Sequence, residues 1–267
     1  MTAWHPYPAT DESTVVGTVL QSDPVPHEGL GRAPVLTLHL PQSHIERDRR
    51  YPVLYMHDGQ NLFDEVPSYS GEWQVDETLT ALAAEGLELI VVGITNGPGE
   101  ARAHEYTLFP SPELGGGNAR VYLDFLVNTV KPLVDVSFLT EPGPSTTGIM
   151  GSSLGGLVSL YGFFEHPDVF GRAGAMSPAF HWDDGQTLDY LRDQPSRSGR
   201  IYMDVGTIED PEDPELTRRY HDDFLVARDT LAPTYEDRLM TVIDEGAIHH
   251  ESAWARRLPD ALRHLFG

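Results

Sequence analysis

The chain has 267 residues, 40% of them hydrophobic, which suffices for one large domain with a sizeable core, and it contains no cysteine, which excludes disulfides, thiolate catalysis and cysteine-ligated zinc. Against 18 Lys and Arg stand 41 Asp and Glu, a formal charge of −23, and Lys131 is the only lysine. So acidic a surface repels phosphate backbones and anionic membranes, which argues against nucleic-acid and membrane partners.

In chain order, Met1-Thr2-Ala3-Trp4-His5-Pro6 has neither a basic n-region nor an apolar h-region, and no apolar run reaches about 18 residues. The expectation is a soluble, unprocessed, cytoplasmic protein whose residues 1–13 form a loosely attached N-terminal segment. Val15–Leu20 and Pro34–Leu40 are β-branched, apolar runs with no helix between them, and predict an antiparallel pair at one sheet edge. Further strands are predicted at Pro52–His57, Leu89–Ile94, Thr147–Met150, Ala173–Met176, Ile201–Val205 and Leu239–Ile243, eight in all. Helical spacing falls around 73–85, 119–135, 154–165, 216–230 and 251–265. Alternation of this kind predicts an α/β fold: a mostly parallel eight-stranded sheet flanked by helices, in a single domain spanning 1–267. Residues 96–118 read as the longest structureless stretch, and a loop of that length at a strand's carboxyl end borders the ligand crevice of such sheets.

Gly151-Ser152-Ser153-Leu154-Gly155 matches G-x-S-x-G, and the match lies between a predicted strand and a predicted helix, as the chemistry requires. Ser153 would sit on a tight turn with small residues on either side, and the N–H of Leu154 would face a developing oxyanion at the helix N-terminus. The acid and the histidine of such a site follow in that order on later loops. Asp204-Val205-Gly206-Thr207-Ile208-Glu209-Asp210 supplies the carboxylate, with Glu209 ahead of Asp210 by position. Asp244 to Glu251 supplies His249 as the base, leaving His250 and Glu251 to open the last helix. A second oxyanion donor is expected from Asp58-Gly59-Gln60-Asn61, with Gln60 N–H first and Gly59 second. Neither His57-Asp58 nor His181-Trp182-Asp183-Asp184 has the spacing of a known metal site, so no metal is expected. Aromatic pocket walls are sought in Trp73, Tyr106, Phe109, Phe180 and Trp182.

Three ordered segments, His57-Asp58-Gly59-Gln60-Asn61-Leu62-Phe63, Gly151 to Gly156 and His249-His250-Glu251-Ser252-Ala253-Trp254, resemble the putative esterase family, also called the esterase D or enterochelin esterase-like family, from about residue 30 onward. The resemblance implies an α/β-hydrolase with a Ser-His-acid triad and no cofactor. It implies Ser153 as nucleophile and His249 as base, and Gly206-Thr207-Ile208-Glu209 is similar to a Gly-Thr-x-acid segment of some members, which supports Glu209. Arg102-Ala103-His104-Glu105-Tyr106 resembles an R-x-x-E-Y element expected to be structural or pocket-lining; Asp58, Arg102, Tyr106 and Trp182 are the expected substrate-binding residues. The function expected is hydrolysis of a small or aryl carboxylic ester through an acyl-enzyme, with a small-molecule ester as partner. An acyltransferase with the same triad and a non-catalytic binding protein on the same scaffold are the alternatives.

Overall fold

The structure is a computed structural model that describes residues 2–45 and 49–267. Among the described residues, nine strands form one sheet: β1 (Trp4–Pro6), β2 (Thr18–Ser22), β3 (Leu36–Leu40), β4 (Val53–Met56), β5 (Ile90–Ile94), β6 (Thr147–Ser152), β7 (Arg172–Met176), β8 (Arg200–Gly206) and β9 (Leu239–Asp244), in the order β1-β2-β3-β5-β4-β6-β7-β8-β9. From β5 across to β9 all neighbours are parallel, while β1, β2 and β3 run antiparallel down to β5. The mostly parallel sheet with an antiparallel edge is therefore as expected, and the edge holds one strand more.

That extra strand lies in the segment expected to be loose. Trp4–Pro6 pairs with Leu20–Ser22, the Trp4 ring meets Phe138 edge-on at 5.1 Å, and the Tyr7 hydroxyl donates to Asp64 at 3.0 Å. Conversely, Val15-Val16-Gly17 stays outside β2. Gly17 has φ of 75°, and the Val16 N–H is taken by the Asp76 carboxylate at 2.6 Å, so the ladder begins at Thr18.

The helices described are α1 (Val75–Ala83), α2 (Ala101–Tyr106), α3 (Ala119–Phe125), α4 (Lys131–Ser137), α5 (Leu154–Glu165), α6 (Gln186–Arg192), α7 (Pro214–Tyr235) and α8 (Glu251–Phe266), which cover the sheet, with a π-helical turn at Leu126–Val130 joining α3 to α4. α7 starts early because Pro214 suits a first helical turn and Asp213 caps it, accepting from Glu215 and Leu216 N–H. α2 lies within the stretch expected to be structureless.

Strand alternation divides the core in two. Val53, Tyr55, Val92, Ile149, Ala175 and Met203 face one way and pack with Tyr122, Leu157, Phe163 and Phe224 of α3, α5 and α7. Leu54, Met56, Val91, Met150, Met176 and Tyr202 face the other and pack with Leu79 of α1 and Trp254, Leu258 and Leu262 of α8. With both faces covered, the loops at the strands' carboxyl ends are left to build a site. No helix among the described residues is long and apolar enough to cross a membrane.

Candidate active site

β6 turns into α5 at Ser153, which has φ of 57° and ψ of −124°, a strained conformation for a residue with a side chain. The turn is held by the Ser153 N–H, which donates to Met176 O at 2.9 Å. At Gly151 a Cβ would lie 2.8 Å from His57 Cδ2 and 3.1 Å from the Gly155 backbone, so only glycine lets the elbow close. Gly155 is less constrained, since a Cβ there would make ordinary contact with His57 at 3.4 Å. Leu154 begins α5, and its N–H belongs to the first turn, which has no intrahelical acceptors.

His249 Nδ1 lies 2.6 Å from Glu209 Oε2. The Glu209 side chain is fully buried and that of His249 is 24% exposed. The other Glu209 oxygen accepts from the Gly206 N–H and from the Ser177 hydroxyl. Burial would raise this carboxyl, but the hydrogen bond and charge of His249, with Gly206 and Ser177, hold it below the ordinary carboxylate value. Asp210 points elsewhere, accepting from Glu212 and Asp213 N–H in the turn ahead of α7. His250 caps α8 by accepting from Ser252 N–H, so it opens the last helix as expected.

The loop after β4 is fastened at each residue. His57 is buried, its Nδ1 2.8 Å from the Tyr122 hydroxyl, and burial lowers it to about 3, so the ring is neutral. Asp58, at φ of 53°, donates its N–H to the Tyr106 hydroxyl and receives Arg102 through two bonds of 2.8 and 2.9 Å, plus Asn96 at 2.6 Å. A Cβ on Gly59 would lie 2.6 Å from the Gly93 backbone. In the 3-10 turn Gly59–Asn61 the first internal bond is Asn61 N–H to Asp58 O, which leaves the Gln60 N–H without an acceptor in that turn.

A cleft of about 800 Å³ opens over these loops and brings Ser153, His249, Gln60, Asp58 and Arg102 together. Trp73 and Trp254 form part of its wall, their rings 5.5 Å apart. Asp58 and Arg102 thus reach the cleft, but as each other's partners. Tyr106 and Trp182 do not line it: Tyr106 is wholly buried under the Asp58 N–H, and Trp182 donates its Nε1 to Gly115 O at 3.2 Å. Phe109 and Phe180 likewise belong to the packing of the core, Phe180 fully buried. The R-x-x-E-Y element is a brace: Arg102 holds Asp58, Glu105 takes Arg32 in two bonds of 2.6 Å and the Gly97 N–H at 3.2 Å, and Tyr106 holds the Asp58 backbone.

Three supports were not visible in the sequence. Ser177, at φ of 41°, donates to Glu209 and accepts from Trp254 Nε1 at 3.1 Å. Arg257 binds Asp204 by two bonds and Asp244 by one, joining the ends of β8 and β9 to α8. Tyr220 of α7 packs its ring 5.0 Å from that of His249 and its hydroxyl beside the Ser153 side chain. The only sequence signal for these was a Trp and an Arg on the inward face of the last helix.

The fold is that of an α/β hydrolase, and the cleft lies at the carboxyl ends of the strands. The chain belongs to the family described as "Putative esterase", which it matches over residues 28–265, and it is a hydrolase of the esterase type. It is 27% identical over 240 residues to the uncharacterized protein YbbA of Bacillus subtilis (strain 168), covering 86% of this chain and 92% of that one. It is 28% identical over 137 residues to the siderophore triacetylfusarinine C esterase of Aspergillus fumigatus, a match covering 49% of this chain and 45% of the other. Among solved structures, the IroE-like serine hydrolase of Shewanella oneidensis superposes with a TM-score of 0.70 at 20% identity, covering 91% of this chain and 79% of that one. The enterobactin esterase of Shigella flexneri, solved in the presence of enterobactin, gives a TM-score of 0.70 at 19% identity over 88% of this chain and 55% of the other.

Proposed function

We propose that the protein hydrolyses a small or aryl carboxylic ester through a Ser153–His249–Glu209 triad. The observation that carries this reading is the buried Glu209 carboxylate against His249 Nδ1 at 2.6 Å, in a cleft that also presents Ser153 on its strained turn. With Nδ1 donating to Glu209, Nε2 is the nitrogen free to accept a proton. His249 takes that proton from Ser153 as Oγ attacks the ester carbonyl, and the N–H groups of Leu154 and Gln60 receive the oxyanion. The alcohol leaves with the proton from His249, and water repeats the cycle to release the acid. Glu209 stays ionised and stabilises the imidazolium.

The substrates named for the relatives are not carried over. Arg102, the arginine on the cleft wall, is committed to Asp58, so the cleft offers little to a highly anionic ligand, whereas Trp73 and Trp254 suit an aryl or alkyl group. The test is hydrolysis of p-nitrophenyl esters of graded acyl length by the wild type and Ser153→Ala. The variant should lose about 10⁴-fold or more in kcat with circular dichroism unchanged. Wild-type rates in the variant would remove Ser153 from the mechanism.

A further inference from the structure

Next to the cleft wall, three carboxylates converge. Glu72 precedes Trp73, Asp76 and Glu77 lie in the first turn of α1, and one oxygen of each lies within 4.8 Å of the other two. Acidic residues are ordinary at a helix N-terminus, where free N–H groups favour negative charge. These three differ in burial and in what surrounds them. Asp76 is completely buried and Glu72 is 7% exposed. One oxygen of each is used by the N-terminal segment: Val16 N–H donates to Asp76 Oδ2 at 2.6 Å, and the Thr14 hydroxyl to Glu72 Oε2 at 2.7 Å. The opposite oxygens, Asp76 Oδ1 and Glu72 Oε1, are like Glu77 Oε2 buried and accept from no N–H or O–H donor, while Asp76 and Glu77 lie close enough for their carboxyls to share a proton. Among the described residues, no Arg, Lys or His makes an ion pair with any of the three. Asp64 and Glu65 add further negative charge nearby.

We infer that Glu72, Asp76 and Glu77 bind one hard divalent cation, for which calcium is the probe. The donors are all carboxylate oxygens, which select hard cations over zinc or copper. Three points no more than 4.8 Å apart lie around a centre at most about 2.8 Å away, within the range that Ca–O bonds of 2.3–2.6 Å can span. Water would fill the remaining coordination positions. A bound cation would offset the mutual repulsion of the three carboxylates. The ion would clamp the strap at Thr14–Val16 to α1 and fix the backbone next to Trp73, a wall of the cleft.

The full-length protein, stripped with EDTA and desalted, is titrated at pH 8 with Tb³⁺ while tryptophan-sensitised luminescence is read, and with Ca²⁺ by calorimetry. One saturable site is expected, with Ca²⁺ displacing Tb³⁺ and a dissociation constant of about 1 mM or below. Glu77→Gln and Asp76→Asn should weaken it at least about tenfold, and the exposed control Glu113→Gln should not. Glu77 is partly exposed, so its variant reports even if Asp76→Asn does not fold. Absence of saturable binding up to about 10 mM Ca²⁺, or binding that Glu77→Gln leaves unchanged, overturns the inference. Either result would assign the buried oxygens to protons.

Discussion

Glu209→Gln tests the site through a single proton. Glu209 Oε1 accepts from two donors, the Gly206 N–H and the Ser177 hydroxyl, while Oε2 faces His249 Nδ1. The Gly206 N–H is fixed by the backbone, so the amide that replaces the carboxylate must turn its oxygen toward Gly206 and its NH₂ toward the imidazole. Nδ1 then has to accept, the ring proton moves to Nε2, and His249 can no longer take the proton from Ser153. Loss of the right tautomer costs about 10³–10⁴-fold in kcat, which is about 4–5.5 kcal/mol of barrier. The assay is steady-state hydrolysis of p-nitrophenyl acetate, with thermal denaturation to verify folding. A folded Glu209→Gln enzyme within about tenfold of wild type refutes the tautomer argument, and if Asp210→Asn is instead the inactive variant, the acid is Asp210.

Arg102→Ala leaves the Asp58 carboxylate, 7% exposed, with Asn96 as its remaining side-chain donor. It should lose about 3 kcal/mol of stability in guanidinium titration as well as activity. Gly59→Ala pushes a methyl into the Gly93–Ile94 backbone, so a loss of about 1–3 kcal/mol and a displaced Gln60 N–H are expected, read as a lower melting temperature and reduced kcat. Stability in EDTA should fall as pH rises from about 5 to 8. Glu72 and Asp76 titrate at about 7 and about 8 when folded, above their values in the unfolded chain, so over this window the folded state holds protons that the unfolded state has released. Each contributes a slope of at most about 1.4 kcal/mol per pH unit. Denaturation midpoints that do not change over this window would contradict the raised values.

The elbow was legible because its meaning is local: a glycine two residues either side of Ser153, a strand before and a helix after. That the loops bearing Glu209 and His249 follow two successive strands could be read from the alternation of strands and helices. Less local features were hidden. β1 is three residues with a proline, and it is a strand only because Leu20–Ser22 is there to pair with it. Val15 to Gly17 has strand composition but is diverted by a carboxylate 60 residues away. Tyr106 and Trp182 read as pocket residues because they lie in loops at strand ends. The helix α2 inside the first loop turns Tyr106 inward, and Gly115 O holds Trp182. Ser177 has no motif at all, since its partners Glu209 and Trp254 are 32 and 77 residues away.

Glu251 joins Asn61 across 190 residues, at 3.2 Å, and holds Ser70 at 2.7 Å with its other oxygen. A chain emerging from the ribosome would therefore carry Ser153 on its elbow long before α8 exists to tie the loop after β4 to the loop bearing His249. Until then the cleft has Ser153 without His249, and the loop after β4 lacks its tether. Nascent chains and C-terminally clipped fragments should be inert toward esters, which would make hydrolysis a direct readout of chains that have finished folding.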